Sequence, residues 1–360
     1  MRWTFICTGL FPFNSNTASE KMLGGIESSC CYLMNELVNL KQEVQFYCQG
    51  GVTAKINNIQ HYSLDNFEEL RLANSDICIF LGHTADIITI KKSIKNTPLI
   101  FWVQHSYDQG AVSFMKDFET IKSLSGIIFV SDWQELSFIN HFKLSNIKTF
   151  VIGNGITPNF INQFKNFEDF KIKKEKTIGV YASAPYRGLE VLYESSFFFK
   201  EKIIIDIFSS MKTYSMEDRE DFLNLFNKIK NNDNFNYFGS VDKKTLSKHF
   251  SYASFLTYPS IFAETFCITL QDALAVGIEP IITDLGALKE TSQGYGQLIS
   301  LDNNNFIKNY AELINETIKN KNKNFDDWCN KQYNKMIMIN LNHNWTIKAE
   351  KWLHIIKKFN

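Results

Sequence analysis

The chain has 360 residues, 44% apolar and 21% charged, the balance of a folded globular protein and long enough for two domains of ordinary size. Basic and acidic residues number 38 each, so the basic excess that marks nucleic-acid binding is missing. No apolar run approaches the roughly 18 residues that a membrane span needs. The first segment, MRWTFICTGLFPF, lacks the basic start and small-residue cleavage site of a signal peptide and reads as a buried strand. Without an export signal, the seven cysteines are expected to be reduced thiols in a cytoplasmic protein. They form no paired CxxC spacing, and no structural zinc is expected.

In chain order, strand and helix signals alternate, the pattern of parallel sheets covered on both faces. A strand at Trp3–Thr8 leads through a polar loop to Gly24 and Gly25. A helix follows from Ile26 to Leu40, with Ile26, Cys30, Leu33, Met34, Leu37 and Leu40 on one stripe. Strands are predicted at Val44–Cys48, Ile77–Leu81, Leu99–Gln104, Gly126–Val130 and Thr149–Ile152. Residues 157–176 turn polar and charged and read as a linker, so a first domain is expected over residues 1–156. A second α/β domain, 177–342, opens with a strand at Thr177–Tyr181. It continues through strands at Ile203–Phe208, Phe235–Phe238 and Phe255–Thr257, a helix near Lys244–Tyr252, and helices at Phe306–Lys319 and Asp326–Ile339. The terminal stretch, 343–360, is amphipathic, with Trp345, Ala349, Trp352 and Ile356 at helical spacing.

The most informative segment is Tyr258–Glu290, YPSIFAETFCITLQDALAVGIEPIITDLGALKE. A turn at Pro259 and Ser260 delivers Glu264 into a loop, and an amphipathic helix carrying Phe266, Leu270, Ala273 and Leu274 follows. Glu264 thus precedes a helix start, where unpaired N–H groups and the helix dipole favour an anion. Asp272 lies eight positions on, about 12 Å along a helix. Hydroxyls at both ends and phosphates between them describe a ligand that fits two such carboxylates, and a nucleotide-sugar has that layout. Taken alone, Asp272 is as readily a solvated or capping acid.

Other candidates stand at strand ends and helix starts. Gly24 and Gly25 open a helix and allow close approach of a ligand to the backbone, although the G-x-G-x-x-G fingerprint is absent. His105 ends the strand LIFWVQ and His83 follows DICIFLG, beyond strand carboxyl ends where α/β sheets bind ligands. Arg187 and Gly188 sit at a presumed helix start in GVYASAPYRGLEVL. An arginine there holds a diphosphate in a fork. The Asn154-Gly155 pair is explained by a left-handed turn, and Ser131 in VSDWQ is read as structural.

The Tyr258–Glu290 segment resembles the donor-binding signature of glycosyltransferase family 4, the retaining enzymes of GT-B fold. Glu264, the small residues from Ala273 to Gly277, and Asp284 with Gly286 stand in the signature's places. Asp272 replaces the usual second Glu and Cys267 a common Gly. GGIE (with Glu27), His105, VS, the Asn-Gly turn, RGL and the terminal tryptophan helix match further landmarks in the same order. Arg187 falls in a lysine position of that pattern, while Ala182 holds the place of its arginine. YxSxPxRGL is similar to a subgroup of bacterial cell-surface enzymes.

The resemblance implies two Rossmann-like domains facing across a cleft, with the C-terminal helix returning to the first. It implies a donor site of Gly24, Gly25, Gly239 (beside the base), Thr265, Phe266, Cys267, Ile268 and Asp272 (on the ribose). Glu264, His105 and Arg187 take the catalytic roles. Partners are then a nucleotide-diphosphate sugar and a saccharide or lipid-linked acceptor. No metal or other cofactor is expected, since cationic side chains and helix dipoles stabilise the leaving group. Peripheral membrane contact is left open by small basic clusters at Lys91–Lys95 and Lys357-Lys358. The alternatives are a GT-B-like protein that binds sugar without turnover and another enzyme of the fold, such as a nucleotide-sugar epimerase.

Overall fold

The computed structural model describes residues 1–65, 67, 70, 74–83, 87–144, 146–301 and 304–359. The chain divides into two units, Met1–Gly155 with Trp345–Asn360, and Ile156–Asn344. Each is built on one sheet.

In the first unit the strands are β1 (Arg2–Thr8), β2 (Glu43–Cys48), β3 (Ala54–Ile56), β4 (Ile59–Ser63), β5 (Ile77–Gly82), β6 (Leu99–Trp102), β7 (Gly126–Phe129) and β8 (Lys148–Val151). Their order in the sheet is β3-β4-β2-β1-β5-β6-β7-β8. The central strands are continuously apolar and buried on both faces, as parallel strands under helices must be. Only β3 and β4 pair antiparallel among the described strands. They join through Asn57 and Asn58, both at positive φ, the conformation of a tight hairpin turn. Helices α1 (Thr17–Glu20), α2 (Gly25–Asn39), α3 (Ile87–Ile94), α4 (Phe118–Ser123) and α5 (Asp132–His141) connect the strands.

The C-terminal helix, here α14 (Trp345–Ile356), packs on this first sheet, as the resemblance implied. Trp345, Ala349, Trp352 and Ile356 are buried. The Trp352 ring stands edge-on to Trp102 at 5.1 Å and to Trp3 at 6.5 Å. The Asn154-Gly155 turn is explained differently from the sequence reading, because neither residue has positive φ. A Cβ on Gly155 would lie 2.7 Å from the Trp345 ring, so close approach and not backbone handedness excludes a side chain there.

The second unit carries α6 (Phe167–Lys174), β9 (Ile178–Ala182), α7 (Leu189–Ser195), β10 (Ile204–Phe208), α8 (Glu220–Lys230), β11 (Phe235–Tyr237), α9 (Lys243–Tyr252), β12 (Phe255–Tyr258), α10 (Ile268–Ala275), β13 (Glu279–Thr283), α11 (Leu288–Thr291), β14 (Gln297–Ile299), α12 (Phe306–Lys323) and α13 (Phe325–His343). The strands pair in parallel in the order β11-β10-β9-β12-β13-β14. Residues 157–176, polar enough to resemble a linker, are part of this unit. Phe160 and Phe170 are fully buried. The Lys174 Nζ donates to the carbonyls of Phe250 (3.1 Å) and Ala253 (2.5 Å), satisfying the carboxyl end of α9. Its charge misleads a pattern reading, since the side chain is wholly interior. Among the described residues no helix is long and apolar enough to cross a membrane.

Candidate functional site

Strand order in the second sheet reverses between β9 and β12: from β9 the chain proceeds outward to β10 and β11, then returns to β12 and leaves the other way. Such a reversal opens a crevice at the strand carboxyl ends. The two loops leaving it, 183–188 after β9 and 259–267 after β12, carry Arg187 and Glu264. Gly188 makes their contact possible. It has φ of 99°, and a Cβ there would lie 2.0 Å from the Pro259 carbonyl oxygen.

Glu264 is held from several sides. Its backbone bridges to Gly286, its carbonyl accepts the Ala287 N–H at 2.8 Å, and a Cβ on Gly286 would lie 2.7 Å from the Glu264 nitrogen. The Asp–x–Gly loop of the signature therefore presses against the acid's own main chain. The carboxylate receives Arg187 Nη1 at 3.0 Å on Oε1 and 3.1 Å on Oε2. Oε1 also accepts the Tyr258 hydroxyl at 2.5 Å. Burial pushes the Glu264 carboxyl up from its ordinary value, while Arg187 and Tyr258 oppose that rise. The side chain is 4% exposed, that of Arg187 22%. Arg187 is flanked by the rings of Phe262, at 4.8 Å, and Tyr186, at 5.6 Å.

The guanidinium has five N–H donors. Among the described residues only Nη1 is engaged, and Nε is buried without a protein partner. The Nε–Nη2 edge, which matches two oxygens of a phosphate, is unspent. Thr265, Phe266, Cys267 and Ile268 lead into α10. Thr265, Phe266 and Ile268 are half-buried, and Cys267 is buried at the helix N-cap without a side-chain capping bond. The N-terminal amides of α10 lie beyond the reach of its own carbonyls, so this stretch joins donor groups to the cation. Thr269 fixes the helix start by donating to the Ala182 carbonyl at 2.9 Å. Gly239 follows β11 with φ of 70°, and a Cβ there would stand in ordinary contact, 3.8 Å, with the Tyr237 ring.

Asp272, expected to accept ribose hydroxyls, is 1% exposed, and its Oδ1 accepts the backbone N–H of Thr157 at 2.8 Å. Burial raises its carboxyl to about 6, against the lowering effect of Lys243 and the Thr157 bonds. One methylene shorter than Glu, it stays against its own helix and clips the start of the second unit to α10.

The remaining candidates lie in the first unit. Its sheet reverses at β1, between β2 and β5, so Gly9 and His83 stand at that crevice and His105 one strand beyond. His83, ranked behind His105 on sequence, has the more central place. A Cβ on Gly9 would lie 2.4 Å from the His83 ring, and the His83 N–H donates to the Thr8 carbonyl at 3.1 Å. His105 is half-buried, and burial, with His83 nearby, holds its imidazole down at about 4, so it is neutral at pH 7. Its carbonyl accepts Gln134 Nε2 at 2.8 Å. Gly24 is the N-cap of α2 and Gly25 its first residue. A Cβ on Gly24 would lie 2.6 Å from Glu27 Oε2, so the glycine makes room for a buried acid whose carboxyl is raised by desolvation. The sequence reading passed over Tyr258 and Ser183. The position of each just past a predicted strand, Thr177–Tyr181 for Ser183 and Phe255–Thr257 for Tyr258, was the available signal.

Residues 163–335 match the sequence model of the family described as glycosyl transferases group 1. No curated protein matches the chain. Among solved structures it is similar to a glycosyltransferase from Rickettsia africae, at 17% identity over 99% of this chain and 98% of that one, with a TM-score of 0.75. WaaG, a glycosyltransferase involved in lipopolysaccharide biosynthesis, is similar at 13% identity over 98% and 99%, with a TM-score of 0.69. HepE of Anabaena, in complex with UDP and glucose, is similar at 12% over 99% and 100%, with a TM-score of 0.69. The fold is GT-B. Its second unit carries a glycosyl transferases group 1 domain, and the chain is a glycosyltransferase.

Proposed function

We propose that the protein moves a sugar, with retention of anomeric configuration, from a nucleotide-diphosphate sugar to a hydroxyl acceptor. The acceptor would be a glycan or lipid-linked saccharide of the cell envelope. One observation carries the donor class: Arg187 spends Nη1 on Glu264 and keeps its Nε–Nη2 edge unspent beside the start of α10. Cation and amides suit a diphosphate, and the adjoining carboxylate suits sugar hydroxyls. The HepE complexes with UDP and with UDP-glucose support this donor class, and the likeness to WaaG supports an envelope acceptor. Retention and membership of family 4 rest on the signature alone.

In this reading, as the glycosidic bond to the diphosphate lengthens, negative charge collects on the departing phosphate. Arg187 and the amides of Phe266 to Ile268 face that charge, so the chain itself supplies the stabilisation. Glu264 accepts hydrogen bonds from the transferred sugar's hydroxyls. His105 in its neutral form is assigned a hydrogen bond to a sugar hydroxyl. Asp272 is left out of the ligand shell. The protein works in the cytoplasm, at or near the inner membrane face.

The test combines a thermal-shift panel of UDP-, GDP-, ADP- and TDP-sugars with release of nucleoside diphosphate on addition of an envelope extract. A donor that binds only the folded state raises its melting temperature. Glu264→Gln is expected to cut turnover by about 10²–10³-fold while leaving the fold intact. Near-normal turnover in that variant would remove Glu264 from the site.

A further inference from the structure

We infer that Tyr258 is a positioning residue for this transfer, holding the Glu264 carboxylate by Oε1 so that Oε2 is the oxygen that meets the ligand. The inference rests on the reading of Glu264 given above and adds a residue to it.

The geometry follows from the sheet. Tyr258 is the last residue of β12, and β12 lies between β9 and β13. Ser183 comes immediately after β9, so the two side chains stand at the carboxyl ends of adjoining strands. The Tyr258 hydroxyl and Ser183 Oγ are 3.1 Å apart. The phenol has one proton, and it goes to Glu264 Oε1 at 2.5 Å. That oxygen is acceptor-only, so Ser183 donates to the phenolic oxygen and completes a directed chain, Ser183 to Tyr258 to Glu264. Tyr258 is fully buried, and burial, with Glu264 beside it, raises its phenol well above the ordinary value. It therefore remains a donor throughout the working range of pH.

The two carboxylate oxygens differ as a result. Oε1 accepts both Arg187 Nη1 and Tyr258, while Oε2 accepts only Nη1 among the described residues. Oε2 retains acceptor capacity, and it is the oxygen with room for a sugar hydroxyl. Arg187 alone leaves the carboxylate free to pivot about Nη1, because one nitrogen serves both oxygens. The phenol removes that freedom. Besides Arg187 and Tyr258, the titratable groups facing Glu264 are Tyr181 from β9 and Cys267 before α10. Among the described residues neither donates a hydrogen bond to the acid, and the Tyr181 hydroxyl is spent on the Ala184 carbonyl.

The experiment compares the intact wild-type chain with Tyr258→Phe and Glu264→Gln, with UDP-glucose as the probe donor. It has two readouts: kcat and KM for UDP release across pH, and the titration of the Glu264 side-chain carbon by carbon-13 resonance. Phenylalanine fills the same space, so melting temperature is expected to stay near that of the wild type. The expected result is a kcat about tenfold lower, KM nearly unchanged, and an acid limb of kcat displaced to higher pH. The Glu264 resonance should titrate at correspondingly higher pH, because one of the bonds favouring its charged form is gone. A Tyr258→Phe protein with unchanged kcat, acid limb and resonance would overturn the inference. Should UDP-glucose give no turnover with the wild type, the resonance decides alone. Wild-type turnover in Glu264→Gln would instead overturn the reading of Glu264, whatever Tyr258→Phe does.

Discussion

The loop that ends in Glu264 and the helix that carries Asp272 belong to one signature, yet they treat their acids in opposite ways. Glu264 is buried against a cation and a phenol, and one of its oxygens keeps capacity to accept. Asp272, eight residues on, is buried against a backbone amide and has no cation in contact, Lys243 acting on it only through its field. Sequence spacing alone makes them equivalent. Burial with a partner that can also serve a ligand separates a site acid from a structural one.

The sharpest way to break this contrast is at Arg187. Arg187→Lys keeps the charge that neutralises Glu264 but loses the fork. We expect kcat/KM for the donor to fall by about 10–100-fold, with a nearly unchanged melting temperature. A lysine variant at wild-type efficiency would show that the free guanidinium edge is not what receives the diphosphate.

The second test uses the proton held by Asp272. Its folded-state value, about 6, lies above the ordinary aspartate value of 3.8. As pH rises through this interval, the unfolded chain ionises the group first while the folded chain retains the proton. Folding stability from this group is therefore fully present below about pH 4 and is lost as pH rises toward 6. The loss is on the order of 2–3 kcal/mol. Asp272→Asn has no such proton. In urea denaturation between pH 4 and 7, the stability of wild type relative to this variant should decline. Glu27 and Glu264, also raised, are present in both proteins and cancel in the difference. A flat difference would mean that burial does not hold the proton on Asp272 in the folded chain.

Much of the fold was legible because the strands have the buried, apolar runs of parallel sheets and the helices carry clear stripes. Trp352 was placed correctly through the family resemblance, since an apolar face alone says that a helix packs and not on which sheet. Lys174 was not, since nothing in a charged run announces that its Nζ ends on two interior carbonyls. The hairpin β3–β4 escaped because its strands are three and five residues long and partly polar. At the site, the approach of Arg187 to Glu264, 77 positions apart, depends on the pairing of β9 with β12. Residue type suggested both, and only the topology joins them. The hold on Asp272 was hidden for the complementary reason: its partner, the Thr157 N–H, is a main-chain group that no motif records.

The smallest expected effect is on donor binding by Asp272→Ala. The Thr157 N–H loses its acceptor in a buried place, which costs about 1 kcal/mol or somewhat more, and removal of a carboxylate that resists ionisation offsets part of that. The melting temperature should drop by a few degrees. If Asp272 only clips the chain, KM for the donor moves by less than about threefold, because uniform binding is untouched. A tenfold rise in KM with the fold intact would return Asp272 to the ribose. The contrast between the two acids would then lie in how the ligand-bound state rearranges Asp272, and not in the partners each acid holds here.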